Sequence, residues 1–284
     1  MKVSIIMPVY NGELTIQNSI DSVISEKNEN DIEFIIVDGK STDRTMSIVK
    51  RNVRYVDKYI SEKDNGIHDA INKGIRISSG DFVFVLAADD CLLKGAIKNF
   101  YNSIQNDIDI WCGSIIVKKF SSYYFEYSDN NIESLKKSCS LIHPASFIKR
   151  ESYYRYGFYN EKYKICGDWD LFLRFYKQGA KFQVENVPIC VFSTFGISSG
   201  DYKNNSSKIF NEEQEILNST GLSQNEINKI TNRRKKKYYR SSNIIIKFFT
   251  KLLLNFRLYN CITKIVHKNR RYLNKDELIK YGLV

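Results

Sequence analysis

The chain has 284 residues, 43% of them hydrophobic, enough to bury one large core or two modest ones. Its formal net charge of +11 is unevenly spread: residues 1–200 carry 25 basic and 25 acidic side chains, residues 201–284 carry 18 and 7. The six cysteines are scattered, with no CxxC spacing and no histidine cluster, so free thiols are expected rather than disulfides or a zinc site. No run approaches the roughly 20 apolar residues of a membrane span, and the first apolar run, Val3 to Val9, is strand-length and interrupted by Pro8, unlike a signal peptide.

Strands and helices alternate through the first ninety residues. Val3 to Val9 reads as a strand, and Leu14, Ile16, Ile20, Val23 and Ile24 form a helical stripe. Phe34 to Val37 is a second strand, followed by a helix opening near Thr42. Tyr55 to Ile60 is a third strand, Ile67 to Ile75 a helix after Gly66, and Phe82 to Leu86 a fourth strand. This alternation predicts a parallel sheet covered on both faces, with ligands at the carboxyl ends of its strands. From Asp109 to Gly200 the pattern is mixed α/β. Strands are expected at Ile110 to Val117, Tyr123 to Tyr127, Phe182 to Val184 and Ile189 to Phe195, and Trp169, Leu171, Phe172, Phe175 and Tyr176 make an apolar helical face. No linker separates the two halves, and a basic, mostly helical extension follows from about residue 203.

The strand Phe82 to Leu86 runs through Ala87 and Ala88 into Asp89-Asp90. Two adjacent carboxylates at a sheet edge need compensation. A hard divalent cation completed by substrate phosphates supplies it, although Asp is also common in plain turns. Three other strand ends carry polar groups. Pro8-Val9-Tyr10-Asn11-Gly12 is a sharp turn that could face a base or start a helix. Asp38, after the second strand, could accept from a ribose or base edge, or cap a helix. In Asp64–Gly74, Asp69, Asn72 and Lys73 share one helix face, as a binding surface or an ordinary ion pair. Neither GxGxxG nor GxxxxGK[ST] is present, which disfavours a nicotinamide dinucleotide fold and a P-loop.

The series SIIMPVYNG, IIVDGKSTDRT, SEKDNGIHDAINKGI and GDFVFVLAADD resembles family 2 glycosyltransferases over residues 1–200. The resemblance implies a GT-A (Rossmann-like) α/β fold, a mostly parallel mixed sheet flanked by helices. It also implies inverting transfer from a nucleotide sugar, usually a UDP-sugar, with Mn²⁺ or Mg²⁺. By the same resemblance Pro8, Val9, Tyr10, Asn11 and Asp38 hold the nucleotide, Asp69, Lys73 and Asp89 line the donor site, and Asp89 and Asp90 hold the metal, Asp90 being favoured as ligand. Gly167-Asp168-Trp169-Asp170 resembles the family's acidic helix-start motif, which makes Asp168 the general base, with Gly167 standing where the family usually has Glu. A plain cap role also fits Asp168. Asp170, Trp169 and His143, in His143-Pro144-Ala145-Ser146, are candidates for the acceptor side. A nucleotidyltransferase, or a non-catalytic sugar-binding or membrane-binding protein, is the alternative.

The extension pairs Arg233-Arg234-Lys235-Lys236-Lys237 with a wide apolar face along Ile244 to Leu254. Such a composition suits a helix lying in an anionic membrane interface, and peripheral contact at the cytoplasmic face of a bacterial membrane is expected. It would fit a lipid-linked or oligosaccharide acceptor in surface polysaccharide assembly. Docking on the catalytic domain, dimerisation and nucleic-acid binding compete, the last disfavoured by the neutral first 200 residues. The domain expectation is therefore 1–202 catalytic and 203–284 helical extension.

Overall fold

Hydrophobic alternation along the first strands places a core on each side of one sheet. The structure, a computed structural model, describes residues 1–119, 122–194, 202–242 and 271–283. Strands β1 (Val3–Val9) and β2 (Ile32–Asp38) are buried along their whole length. Val3, Ile5, Met7 and Val9 of β1, with Ile32, Phe34 and Ile36 of β2, enter one core with helices α1 (Ile16–Lys27), α2 (Thr45–Arg51) and α4 (Ala96–Ser103). Their alternates Ile6, Ile35 and Val37 enter a second core with α3 (Ile67–Ile77), α5 (Arg150–Tyr156) and α6 (Gly167–Lys177). A period of two with both faces covered is the expected signature of parallel strands. Helix α3 lies so close to β1 that a Cβ at Gly74 would sit 2.5 Å from Ile6 Cγ2.

The other strands are β3 (Lys58–Ser61), β4 (Phe82–Val85), β5 (Cys91–Leu92), β6 (Ile110–Lys119), β7 (Ser122–Tyr127), β8 (Ser146–Lys149) and β9 (Phe182–Ser193). Together they form a nine-stranded sheet in the order β3-β2-β1-β4-β8-β6-β9-β5, with β7 paired to β6. Strands β3, β2, β1 and β4 are mutually parallel, β8 is antiparallel to both β4 and β6, and β9 is parallel to β6. Phe147 of β8 stacks on Phe100 at 4.0 Å and meets Phe84 and Trp111 at 4.6 and 5.7 Å, locking the two halves together.

Four expectations shift. Residues Val53–Tyr55 form a 3-10 turn, so the third strand starts only at Lys58. The helix expected near Thr42 begins at Thr45, because Asp43 accepts from the Thr45 amide and hydroxyl ahead of it. Residues 182–193 are one strand with a register irregularity near Pro188, where two were expected. Pro8 and Val9 belong to β1, as the strand reading of Val3 to Val9 expected, so the turn read over Pro8–Gly12 begins only at Tyr10. Pro8 fits there because it shares the parity of Ile6, whose carbonyl faces β4, and β4 pairs β1 only as far as Ile6, so on that side no strand misses its N–H.

The described parts of the extension pack on the rest of the chain. Ile209, Ile216 and Leu217 of α7 (Tyr202–Asn218) and Ile227 of α8 (Gln224–Ser242) join the second core. Further on, the Phe125 amide donates to Arg271 O and the Leu273 amide to Tyr123 O, each at 3.0 Å, laying residues 271–273 along β7. The terminal helix α9 (Lys275–Lys280) is closed by an Asn274–Glu277 capping box. The apolar run Ile244 to Leu254 lies outside the described residues, and among those described no helix is long and apolar enough to cross a membrane.

Candidate active site

The carboxyl ends of β1 and β2 are laced into one surface. Asn11, in the left-handed region at φ 51, donates its amide to Ser41 Oγ at 2.8 Å, and its Oδ1 accepts the Thr42 amide at 2.8 Å. The Gly12 and Glu13 amides reach Thr45 Oγ1 and Asp43 Oδ2 at 2.8 and 3.0 Å. Asp38 is fully buried, and its oxygens accept from the Ser41 amide and hydroxyl and from Ser61 Oγ at 2.6 Å. It thus orders the loop that faces the first turn. Tyr10 is 63% exposed, its ring free at the edge, whereas Pro8 and Val9 are buried beneath it. Ser61 carries no signal in the sequence; Ser41, three residues after Asp38, has the spacing of a local Asp–Ser turn.

The next segment faces the same edge. Asp69 Oδ2 accepts the Asn65 amide at 2.9 Å and lies 3.4 Å from Lys73 Nζ, which also pairs with Glu62 at 2.8 Å. The Glu62 hydrogen bond outweighs partial burial and, with Asp69, raises Lys73. Asn72 points inward, donating to Tyr159 O at 2.9 Å and accepting the Tyr159 amide at 3.0 Å. His68 stacks on the Tyr159 ring at 5.4 Å and bonds Tyr163 O through Nδ1 at 2.7 Å. Helix α3 therefore grips the chain just ahead of α6. Asn72, expected on one face with Asp69 and Lys73, is thus turned into the core instead, and the role of His68 is invisible in the sequence because its hydrogen-bond partner is a backbone carbonyl some 90 residues away.

Asp89 and Asp90 sit in the turn between β4 and β5. Asp90 is 1% exposed, with Oδ1 held by the Ser193 amide at 2.8 Å, and Asp89 is half-buried. Burial raises Asp89; burial and the Asp89 charge raise Asp90 well above the carboxylate range. Glu33 at the opposite end of the sheet shows the contrast. Burial alone would raise it, but the Lys58 ammonium at 2.7 Å and donors from Ser4 and Ser79 hold it at about 2. Among the described residues neither Asp89 nor Asp90 has such a cation. Nor is any group of three or more His, Cys, Asp or Glu placed to enclose a metal. Two under-compensated oxygen donors at a strand end fit a divalent cation whose remaining ligands come from substrate and water.

Asp168 lies in the first turn of α6. Its Oδ1 accepts the Trp169 amide at 2.8 Å, and among the described residues Oδ2 meets only the thiol of solvent-accessible Cys139, at 3.6 Å. His143 bonds the Tyr159 hydroxyl through Nε2 at 2.5 Å. Burial among the rings of Tyr159 and Phe172 lowers it to about 4, against the pull of the Asp168 charge, so it is neutral at physiological pH. The other acidic-motif residues are occupied. Asp170 pairs with Arg174 at 2.8 Å, and Arg174 holds Tyr156 O and Phe158 O. Trp169 is a core side chain, its Nε1 bonded to Leu135 O at 2.7 Å. The structure thus brings His143 near Asp168 and turns Trp169 and Asp170 inward. The acidic pair is linked to this group through Cys190, which senses the Asp90 charge and donates to Pro144 O at 3.1 Å, one residue from His143.

The sequence profile described as Glycosyl transferase family 2 matches residues 4–204. The chain belongs to that family. An uncharacterized glycosyltransferase of Rickettsia typhi is 32% identical over 193 residues, 61% of this chain and 58% of that protein, so the chain spans little more than half the length of this relative. A glycosyltransferase of PGL/p-HBAD biosynthesis from Mycobacterium bovis is 26% identical over 68% of this chain and 77% of its own. Among solved structures, S. aureus TarS 1–349 in complex with UDP-GlcNAc superposes with a TM-score of 0.60 at 16% identity, covering 91% of this chain and 78% of TarS. The mannosyltransferase PcManGT of Pyrobaculum calidifontis, in complex with GDP-Man and Mn²⁺, gives 0.58 at 15% identity over 92% and 83%. These likenesses show the fold, the GT-A type shared by family 2 enzymes. The family match ends within α7, so most of α7 and all of α8 lie beyond it.

Proposed function

We propose that this family 2 chain is an inverting glycosyltransferase that takes a sugar from a nucleotide donor, UDP-linked by preference, and passes it to a hydroxyl of a glycan acceptor. One observation carries the reading: two carboxylate centres, Asp89–Asp90 after β4 and Asp168 at the start of α6, are left without cationic partners among the described residues and are connected through Cys190, Pro144 and His143. Asp168 Oδ2 takes the acceptor proton as the acceptor oxygen bonds to the anomeric carbon, and the bond from that carbon to the diphosphate breaks on the opposite face. Asp89 and Asp90 would hold a divalent cation, which supplies charge neutralisation to the departing diphosphate. The laced β1–β2 loops and the Tyr10 ring offer the nucleotide a wall. Complexes of TarS with UDP-GlcNAc and of PcManGT with GDP-Man and Mn²⁺ support a nucleotide-sugar donor and a metal.

Calorimetric titration with UDP tests the donor half. Mn²⁺ is expected to tighten UDP binding by at least about tenfold in the wild type and to have no effect in Asp89→Ala/Asp90→Ala, since two carboxylates and the diphosphate make up the site. No binding of UDP, GDP or dTDP with any metal would defeat the donor assignment.

The acceptor is proposed to be lipid-linked and met at an anionic membrane face, through the basic residues beyond 242. Deleting the extension from residue 233 is a poor test, because Arg234 stacks over Trp169 at 4.9 Å and bonds Lys137 O. Reversing Lys247, Lys251 and Arg257 to Glu is cleaner. At about 1 kcal/mol per basic side chain, binding to phosphatidylglycerol-containing vesicles should weaken by on the order of 10²-fold. Unchanged vesicle binding would end the membrane proposal and leave the transfer chemistry standing.

A further inference from the structure

Helix α6 starts without a cap of its own, since Cys166 at its N-cap makes no side-chain hydrogen bond to the helix. Another helix satisfies the amides leading into it. The Glu212 carboxylate of α7 accepts Lys164 N through Oε1 at 2.8 Å, and Ile165 N and Cys166 N through Oε2 at 3.0 and 2.9 Å. Glu212 is 7% exposed. A buried carboxylate is tolerated where donors converge on it, and three successive amides at a helix N-terminus form such a cradle. The opposite flank of the same loop is held by α3 and its entry, through His68 Nδ1 on Tyr163 O at 2.7 Å and Lys164 Nζ on Asn65 O at 2.7 Å. Residues 163–167 are thus clamped between the donor-side segment and the helical extension, and Asp168 is the next residue.

We propose that Glu212 is a positioning residue for Asp168, making α7 a working part of the active site although Glu212 lies beyond the stretch matched by the family. The inference rests on the reading of Asp168 as base. Glu212 touches no reacting atom. It fixes the backbone that sets where the Asp168 carboxylate stands, and a misplacement of about 1 Å at a catalytic group costs on the order of 10²-fold in rate.

Glu212→Gln is the informative variant. Its amide NH₂ must replace one oxygen, so either the Lys164 amide or the Ile165 and Cys166 amides lose their acceptor and meet a donor instead. Wild type, Glu212→Gln, Asp168→Asn and the double variant are compared by UDP titration, thermal unfolding, amide exchange at residues 164–166, and UDP release from the UDP-sugar that supports turnover. Glu212→Gln should raise exchange at those amides and lower kcat by roughly 10- to 100-fold, with donor KM and UDP affinity within about twofold. It should lower nothing further in the Asp168→Asn background. A fully active Glu212→Gln beside an inactive Asp168→Asn overturns the proposal and leaves the base assignment intact, as does an equal further loss in the double variant. An active Asp168→Asn overturns both. Should Glu212→Gln fail to fold, Glu212→Asp, which keeps the charge but withdraws it by one methylene, is judged by the same outcomes.

Discussion

Asp168→Asn is expected to bind UDP within about twofold of the wild type and to lose transfer by on the order of 10³-fold, the middle of the range for a positioned general base. The substitution is nearly isosteric. Asn can still accept the Trp169 amide bond now made by Oδ1, so the start of α6 should be preserved. What is lost is the basicity of Oδ2, the oxygen that among the described residues meets only the Cys139 thiol. Asp170→Asn is the control, two residues along the same helix. Asp170 holds Arg174, and through it the Tyr156 and Phe158 carbonyls, so its loss should lower the melting temperature while leaving most of the turnover. Turnover like the wild type in Asp168→Asn would remove it as base. A larger loss of turnover in Asp170→Asn than in Asp168→Asn would exchange their roles.

The first ninety residues were legible because β1, β2 and β4 are buried, mainly apolar runs separated by amphipathic helices, the pattern of a doubly covered parallel sheet. Where the polypeptide departs from that pattern, local periodicity misled. Tyr55 and Val56 look like strand residues, yet Val53–Tyr55 tightens into a turn and the Asp57 amide bonds Phe34 O ahead of the strand. The long β9 reads as two strands because Pro188 and its neighbours shift register against β6 in the middle. In the extension, charge is conspicuous and contact is not. Ile209, Ile216, Leu217 and Ile227 are spaced among many polar residues, so their burial follows from the partner surface rather than from their own pattern. The site divides in the same way. Carboxylates at strand ends and helix starts announce themselves, but the contacts made by His68 and Glu212 fall on backbone atoms distant in sequence and leave no trace in residue type, and Asn72, visible as a polar position, turns inward to such atoms as well.

Gly167→Ala is expected to destabilise the protein by about 1–3 kcal/mol, the usual cost of forcing one extra carbon into a filled space. At the start of a helix the same change normally stabilises, by up to about 1 kcal/mol, since alanine is the better helix former. Here the space is taken: a Cβ at Gly167 would lie 2.5 Å from His68 Cε1 and 2.7 Å from Nε2. The ring cannot easily retreat, being stacked on Tyr159 and bonded to Tyr163 O. His68 therefore fills the place of the side chain that the acidic motif of family 2 leads one to expect at residue 167. The reciprocal substitution makes the prediction specific. In a His68→Ala background, Gly167→Ala should become neutral or stabilising, reversing sign against its effect in the wild type. Thermal unfolding of the four proteins measures that coupling directly. A Gly167→Ala cost of the same size with and without His68 would mean that the cost arises elsewhere, and that His68 does not occupy the site of the missing side chain.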